Sequence, residues 1–263
     1  MKKNTYHLIH KFAFLLVFSL VCVSCKNETK KENIEIETEE EVTVKYPKEL
    51  EMVFARHGGI DLWRNAKTLS FSIDEEVHTS DLKTRKIIIN APEYTVGFDG
   101  KKAWKTENKN GAFTGNKDFY YNLYFYFYAM PFVLADEGIT YQKTDSLTFD
   151  ERKYPGIKIS YDANRGTSSK DNYILYYNPE TYQMEWLAYT VTFKTNESSE
   201  KYNLIRYNNW ENVSGLKLPK SIVWYNQGEK GQPIEPANEP VEFTSPLLSQ
   251  KHFEKSFFDK PEI

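Results

Sequence analysis

The 263-residue sequence predicts a mainly β fold. About ten antiparallel strands form one sheet curled into a half-barrel, with an N-terminal helix and an aromatic-rich helix covering its concave face. Three observations lead there. Segments of alternating apolar and polar residues recur from residue 67 onward, the period-2 pattern of half-buried strands. Turn signals such as Asp99-Gly100 and Asn178-Pro179-Glu180-Thr181 separate them. Ten strands of one twisted sheet tend to curl rather than stay open.

Residues 1–24 read as a leader. Lys2, Lys3 and Lys11 make a positive start, and Phe12 to Val23 is an apolar run of twelve residues, too short to span a bilayer. Val23-Ser24-Cys25 resembles a bacterial lipobox, which marks Cys25 as the lipidated first residue of the mature chain, although Cys22 stands where Leu is usual. An ordinary secretory cleavage nearby is the alternative. Losing the leader removes three lysines and no acids, so the formal charge moves from −3 to −6. One cysteine then remains, the lipidated one, which leaves none for an intramolecular disulfide, thiol catalysis or a zinc-cysteine site. Residues 25–46 read as a tether: after Cys25 come seven glutamates and four lysines, too polar to offset chain entropy. Its acidic cluster resembles the export signals of surface lipoproteins, and a plain solvated spacer is the alternative.

Residues 47–263 suit one domain. Pro47 opens a helix carrying Leu50, Val53, Phe54 and His57 at i, i+3, i+4 and i+7, and Gly58-Gly59 stops it. Asp61 is placed to cap a short turn bearing Leu62 and Trp63. Strands are expected over 67–78 (Leu69, Phe71 and Ile73 on one face), 82–90, 93–98 and 102–106. Later ones fall at 139–149, 156–161, 172–177, 183–193, 202–210 and 216–225, with a last near 240–245. Between the early and late strands lies FYYNLYFYFYAM, residues 119–130. Asn116 or Asp118 can cap a helix there and Pro131 ends it, putting Tyr120, Leu123, Tyr124, Phe127 and Tyr128 on one stripe. A strand with rings on both faces is the rival. The rings read more simply as core; a cavity wall or rim near water is the alternative, and it would more easily supply partners for five tyrosine hydroxyls.

Several phrases then form an ordered set: His57-Gly58-Gly59-Ile60-Asp61-Leu62-Trp63, Phe98-Asp99-Gly100-Lys101-Lys102-Ala103-Trp104, Tyr177-Asn178-Pro179-Glu180-Thr181, Gly215-Leu216-Lys217-Leu218-Pro219-Lys220 and Phe257-Phe258-Asp259-Lys260-Pro261. The set, over residues 47–261, resembles a family of uncharacterised Bacteroidota lipoproteins similar to lipoprotein-sorting proteins of the LolA/LolB type. The resemblance implies a LolA/LolB-like half-barrel of antiparallel strands with helices over an apolar cavity, which in the characterised relatives takes up acyl chains. It carries over no functional residue.

The chain has no G-x-S-x-G elbow, G-x-G-x-x-G, phosphate loop or H-E-x-x-H, and no cofactor or metal is expected. His57, His78 and His252 lack metal-ligand spacing. His57 fits a helix C-terminal histidine better than a general base at a cavity mouth, and Trp63 a core anchor better than a stacking platform. If residues 74–76 lie on a strand, Asp74 and Glu76 share a face that suits Ca²⁺ or, more simply, solvent. Mixed surface charge and a net −6 argue against nucleic acid. The candidate cavity residues are Trp104, Tyr120, Leu123, Tyr124, Phe127, Tyr128, Trp186 and Trp210; Tyr173, Tyr177 and Tyr189, on expected strands, fit core and could also line a lipid or glycan site. The expectation is a non-enzymatic, membrane-anchored envelope lipoprotein that binds or carries a lipid or other apolar ligand. An interaction lipoprotein with an envelope partner is the second reading, and an acid-based hydrolase a distant third.

Overall fold

The computed structural model describes residues 46–161, 170–195 and 197–262. The expected leader, Cys25 and the tether up to residue 45 lie outside the described residues. Helices α1 (Lys48–Arg56) and α2 (Ile60–Asn65) come first. Strands β1 (Thr68–Ile73), β2 (Glu76–Asp81), β3 (Ile87–Asn90), β4 (Tyr94–Phe98) and β5 (Ala103–Glu107) follow. Helix α3 (Lys117–Tyr128) and a 3-10 turn (Phe132–Ala135) interrupt the strands. Then come β6 (Ile139–Phe149), β7 (Arg152–Tyr161), β8 (Asn172–Tyr177), β9 (Met184–Tyr189), β10 (Asn203–Val213) and β11 (Leu216–Gln227). The described chain closes with β12 (Pro233–Pro236), β13 (Val241–Glu242), β14 (Thr244–Ser249) and a 3-10 turn (Lys255–Phe258).

These strands make two antiparallel sheets, in the orders β14-β1-β2-β3-β4-β5 and β12-β11-β10-β9-β8-β7-β6, with β13 also pairing with β11. The single curled sheet expected from sequence is therefore corrected to two open ones. The reason lies between β5 and β6: α3 and the 3-10 turn occupy the stretch where a further strand would have continued the meander. β14 returns to pair with β1 instead.

The strand count also changes, from about ten to fourteen among the described residues. The expected strand 67–78 is a hairpin, with Ile73 opposite Glu76 and a two-residue turn at Asp74-Glu75, where Asp74 has φ +49°. Alternation runs straight through such a turn because neither residue is Gly or Pro. Asp74 and Glu76 thus do not share a strand face, and the calcium reading of that pair falls. The turn between β6 and β7 is Asp150-Glu151, both at positive φ, and β7 starts at Arg152, four residues before the expected strand 156–161. β12 escaped notice because two of its four residues are proline, tolerated only at a sheet edge, where β12 lies.

Both sheets bury one face in a common core. Leu69, Phe71 and Ile89 come from the first sheet, and Ile159, Leu175, Leu187 and Ile205 from the second. The expected inward stripe Leu69, Phe71, Ile73 is buried as a unit. Leu50, Val53 and Phe54 of α1 join the core. So does Tyr46, which the expected tether 25–46 included and which belongs instead to the folded part: its hydroxyl donates to the Ala135 carbonyl at 3.1 Å. α3 is a helix as expected, capped by Asn116, whose side chain accepts the Asp118 amide at 2.9 Å. It touches both sheets. Tyr128 packs 4.2 Å from Phe71 of β1, and Phe127 packs 5.1 Å from Tyr189 of β9. Its rings face more than one side, so Tyr121 and Phe125, off the expected stripe, are among its most buried residues.

Candidate functional site

The HGG corner is architectural. Gly59 N–H donates to Phe54 O and Gly58 N–H to Ala55 O, the two-bond Schellman closure of a helix. Gly58 and Gly59 stand at φ +106° and +94°, and Gly59, rather than Asp61, occupies the N-cap position of α2. The corner docks on the β10–β11 turn, where Lys217 N–H donates to His57 O at 2.8 Å. The His57 ring is fully buried. Its Nδ1 lies 3.2 Å from the Lys217 carbonyl, and its Nε2 accepts the Met184 amide at 3.1 Å. Only the neutral Nδ1–H tautomer satisfies both bonds. Burial, the largest cause, pulls the His57 pKa down to about 4. Trp63 stacks on Phe132 at 5.2 Å in the core.

Sequence reasoning missed one polar cluster. Glu76, just past the β1–β2 turn, meets His78 Nε2 at 2.9 Å and accepts the Tyr120 hydroxyl at 2.7 Å and the Tyr94 hydroxyl. His78 itself stacks on Phe71 at 4.8 Å. Burial alone would raise the Glu76 carboxyl, but the three hydrogen bonds outweigh it and hold it below its ordinary value. The contribution of Glu76 to stability is therefore present above its unfolded pKa and lost as pH falls through the folded one. Tyr120→Phe removes one charge-assisted bond and is expected to cost about 1–2 kcal/mol in chemical denaturation. An unchanged midpoint would mean that Tyr94 and His78 suffice. The one available signal was Glu76 and His78 two apart, and it counts only once a turn before Glu76 is recognised.

The eight candidate cavity residues do not converge. Trp104 is on the outer face of the first sheet with Ile88 and Phe258, donating from Nε1 to the Phe258 carbonyl at 3.0 Å. A Cβ on Gly97 would lie 2.3 Å from its ring, which explains that glycine. Trp186 is fully buried in a cluster on the other face of the second sheet, with Arg206 4.5 Å above its ring. Trp210 packs 4.3 Å from His57, Tyr120 binds Glu76, and Tyr128 is fully buried between Phe71 and Phe243. Tyr124 meets Tyr120, His78 and Phe127 edge-on.

Leu123 and Phe127 do line a cavity, of about 210 Å³. With Phe119, Asn122 and Tyr126 they form its α3 wall. Tyr161 at the end of β7, Tyr173 of β8 and Tyr189 of β9 form the opposite wall, extended by Thr190, Val191 and Phe193. Asp118, Asp136, Glu137 and Asp171 complete the lining. Burial raises the hydroxyls of Tyr126, Tyr161, Tyr173 and Tyr189, so they remain neutral. The Tyr161 hydroxyl is buried and has no hydrogen-bond partner among the described residues. Burial also raises the Asp136 carboxyl, opposed by Arg85 at 2.5 Å. Such a chamber can enclose a short chain or a ring, and its volume lies below the roughly 300–1,000 Å³ of drug-sized sites. Sequence marked Tyr173 and Tyr189 as strand aromatics that could line a site, but missed Tyr161 and the wall they form together, because β7, β8 and β9 meet α3 only in the folded chain. Among the described residues no group of three or more His, Cys, Asp or Glu is arranged to hold a metal, and no helix is long and apolar enough to cross a membrane.

The structure is similar to that of a LolA superfamily protein from Nitrosomonas europaea, at 10% identity and TM-score 0.39, covering 79% of this chain and 96% of that one. It is also similar to a DUF1329 family protein from Desulfovibrio piger, at 8% identity and TM-score 0.42, covering 79% and 95%. No curated protein matches the sequence. A family model does match, over residues 9–234, and the chain belongs to that family of unknown function, DUF6503.

Proposed function

We propose that this protein is a binding module that holds one apolar ligand, such as an acyl chain, in the cavity between α3 and β7–β9. The observation that carries the reading is the chamber itself, about 210 Å³ with seven aromatic rings in its wall. Burial would supply the affinity, at about 0.8 kcal/mol per methylene removed from water. In this reading Cys25 carries the lipid anchor and residues 26–45 are the tether, at the outer membrane of the cell envelope. A permanent anchor suits an acceptor or receptor better than a free shuttle.

The test is a native mass spectrum of the protein released gently from its own membranes, compared with the denatured mass. A removable mass of lipid size is expected. Leu123→Trp, which fills the cavity from α3, is expected to abolish it while shifting the melting temperature by only a few degrees. No extra mass, and no uptake of added decanol by the stripped protein, would sink the reading. A second reading, docking to an envelope protein, is favoured by Phe253 and Phe257. They stack at 4.3 Å while remaining 38% and 39% exposed. Phe253→Ser/Phe257→Ser would then release a partner without affecting cavity binding, as pull-down from detergent-solubilised membranes would report.

A further inference from the structure

We propose that a second cavity, beside α2, is a binding site for a phosphate monoester. It measures about 150 Å³ and lies between α2, the turn joining β2 to β3, and the 3-10 turn at Phe132–Ala135. Three cations line it: Arg64 from α2, and Lys83 and Arg85 from the β2–β3 turn. Asp136 lines it as well, and Arg85 holds that carboxylate at 2.5 Å. Trp63 and Phe132, stacked at 5.2 Å, give it an apolar floor.

Two of the cations are positioned by neutral groups. Arg64 donates from Nη2 to the Tyr46 hydroxyl at 2.5 Å, and Lys83 donates from Nζ to the Arg64 carbonyl. Such bonds fix a cation in place without neutralising it. Arg85 lies 5.1 Å from the Phe125 ring, and its buried Nη1 has no acceptor among the described residues. Three cations around one small space repel each other, and one carboxylate offsets only part of that repulsion. An oxyanion in the cavity offsets the rest, and arginine forks suit its oxygens. A phosphate monoester fits this set better than a carboxylate does. It carries about −1.5 to −2 charge at pH 7 and three acceptor oxygens, against one charge and two oxygens. The cavity is below the roughly 300–1,000 Å³ of drug-sized sites, so it takes a head group rather than a whole lipid. A soluble phosphorylated molecule and a membrane lipid both present that group.

The test titrates glycerol 3-phosphate into the stripped full-length protein, in nonionic detergent at pH 7, by calorimetry. Saturable binding is expected, with none for glycerol. Arg64→Gln/Lys83→Gln, at two exposed positions, is expected to weaken it about tenfold or more. Arg85→Asn should weaken it as well, and Asn tolerates the φ of +58° at that position. The native mass spectrum of protein taken from its own membranes reads the source. An adduct of phospholipid mass that the double variant loses identifies a lipid head. Glycerol 3-phosphate binding without such an adduct identifies a soluble phosphate. No binding, binding that survives both variants, or acetate binding as tightly would overturn the inference. Glycerol 3-phosphate has no apolar tail, so this result is independent of the chamber between α3 and β7–β9. Failure of decanol uptake there leaves the phosphate site standing.

Discussion

Gly58→Ala is expected to destabilise the protein by about 3–5 kcal/mol, enough to leave much of it unfolded at 37 °C. Two costs add. The backbone stands at φ +106°, where an L side chain costs about 1–2 kcal/mol. A Cβ there would also lie 2.3 Å from the carbonyl oxygen of Gly215 and 3.0 Å from the Cα of Leu216. Both are backbone atoms of the β10–β11 turn, and no side-chain rotation can relieve the contact. Gly59 is the internal control. Its φ is +94°, yet a Cβ there meets nothing within 4 Å. Gly59→Ala should therefore show the conformational cost alone, about 1–2 kcal/mol. Urea denaturation of both variants separates the terms. Equal losses would show that the turn yields freely and that the close approach has no energetic weight.

Stability is expected to fall by about 3 kcal/mol on going from pH 7.5 to pH 4 through His57 alone. The sign follows from the tautomer. In the folded protein Nε2 accepts from Met184, so a proton added there would set two donors face to face. The folded pKa is pulled to about 4 by burial, below the ordinary imidazole value of about 6.5 that the unfolded chain keeps. Between those values the unfolded state binds more protons. Stability is thus fully present above about pH 6.5 and drains as pH falls toward 4. Glu76 adds a separate loss, in the range below its own unfolded pKa. Denaturation midpoints at several pH values between 4 and 7.5, in wild type and His57→Gln, isolate the histidine. The variant should begin less stable and lack the slope above pH 5. An identical slope in both would place the titration elsewhere.

The sequence by itself determined whatever depends on neighbours in the chain. Helix α1 follows from Leu50, Val53, Phe54 and His57 at helical spacing, and its end from two glycines, since only they adopt the required φ without strain. Asn116 and Pro131 bracket α3, because a cap and a ring that blocks helix are local chemistry. Most β segments were legible from period-2 alternation. Their division into two sheets was not, since pairing of β14 with β1 joins residues nearly 180 apart through no local signal. The Asp74-Glu75 hairpin was hidden because side-chain alternation continues across a two-residue turn.

The candidate site divides in the same way. That α3 would offer Leu123 and Phe127 to a cavity could be read from its stripe, and Tyr173 and Tyr189 could be marked as strand aromatics, but that they form the cavity's other wall could not be read. Tyr161, Tyr173 and Tyr189 are three among nineteen tyrosines, and only the pairing of β7, β8 and β9 sets them together. Trp104 and Trp186 show the converse. A large ring on a strand faces one side or the other, and on a two-sided sheet both sides can bury it. Which face became core and which became an outer cluster was decided by the layer that packed against it. The acidic residues of the lining are likewise gathered by tertiary structure, since Asp118 comes from a helix start and Asp136, Glu137 and Asp171 from loops that only the fold brings around one space.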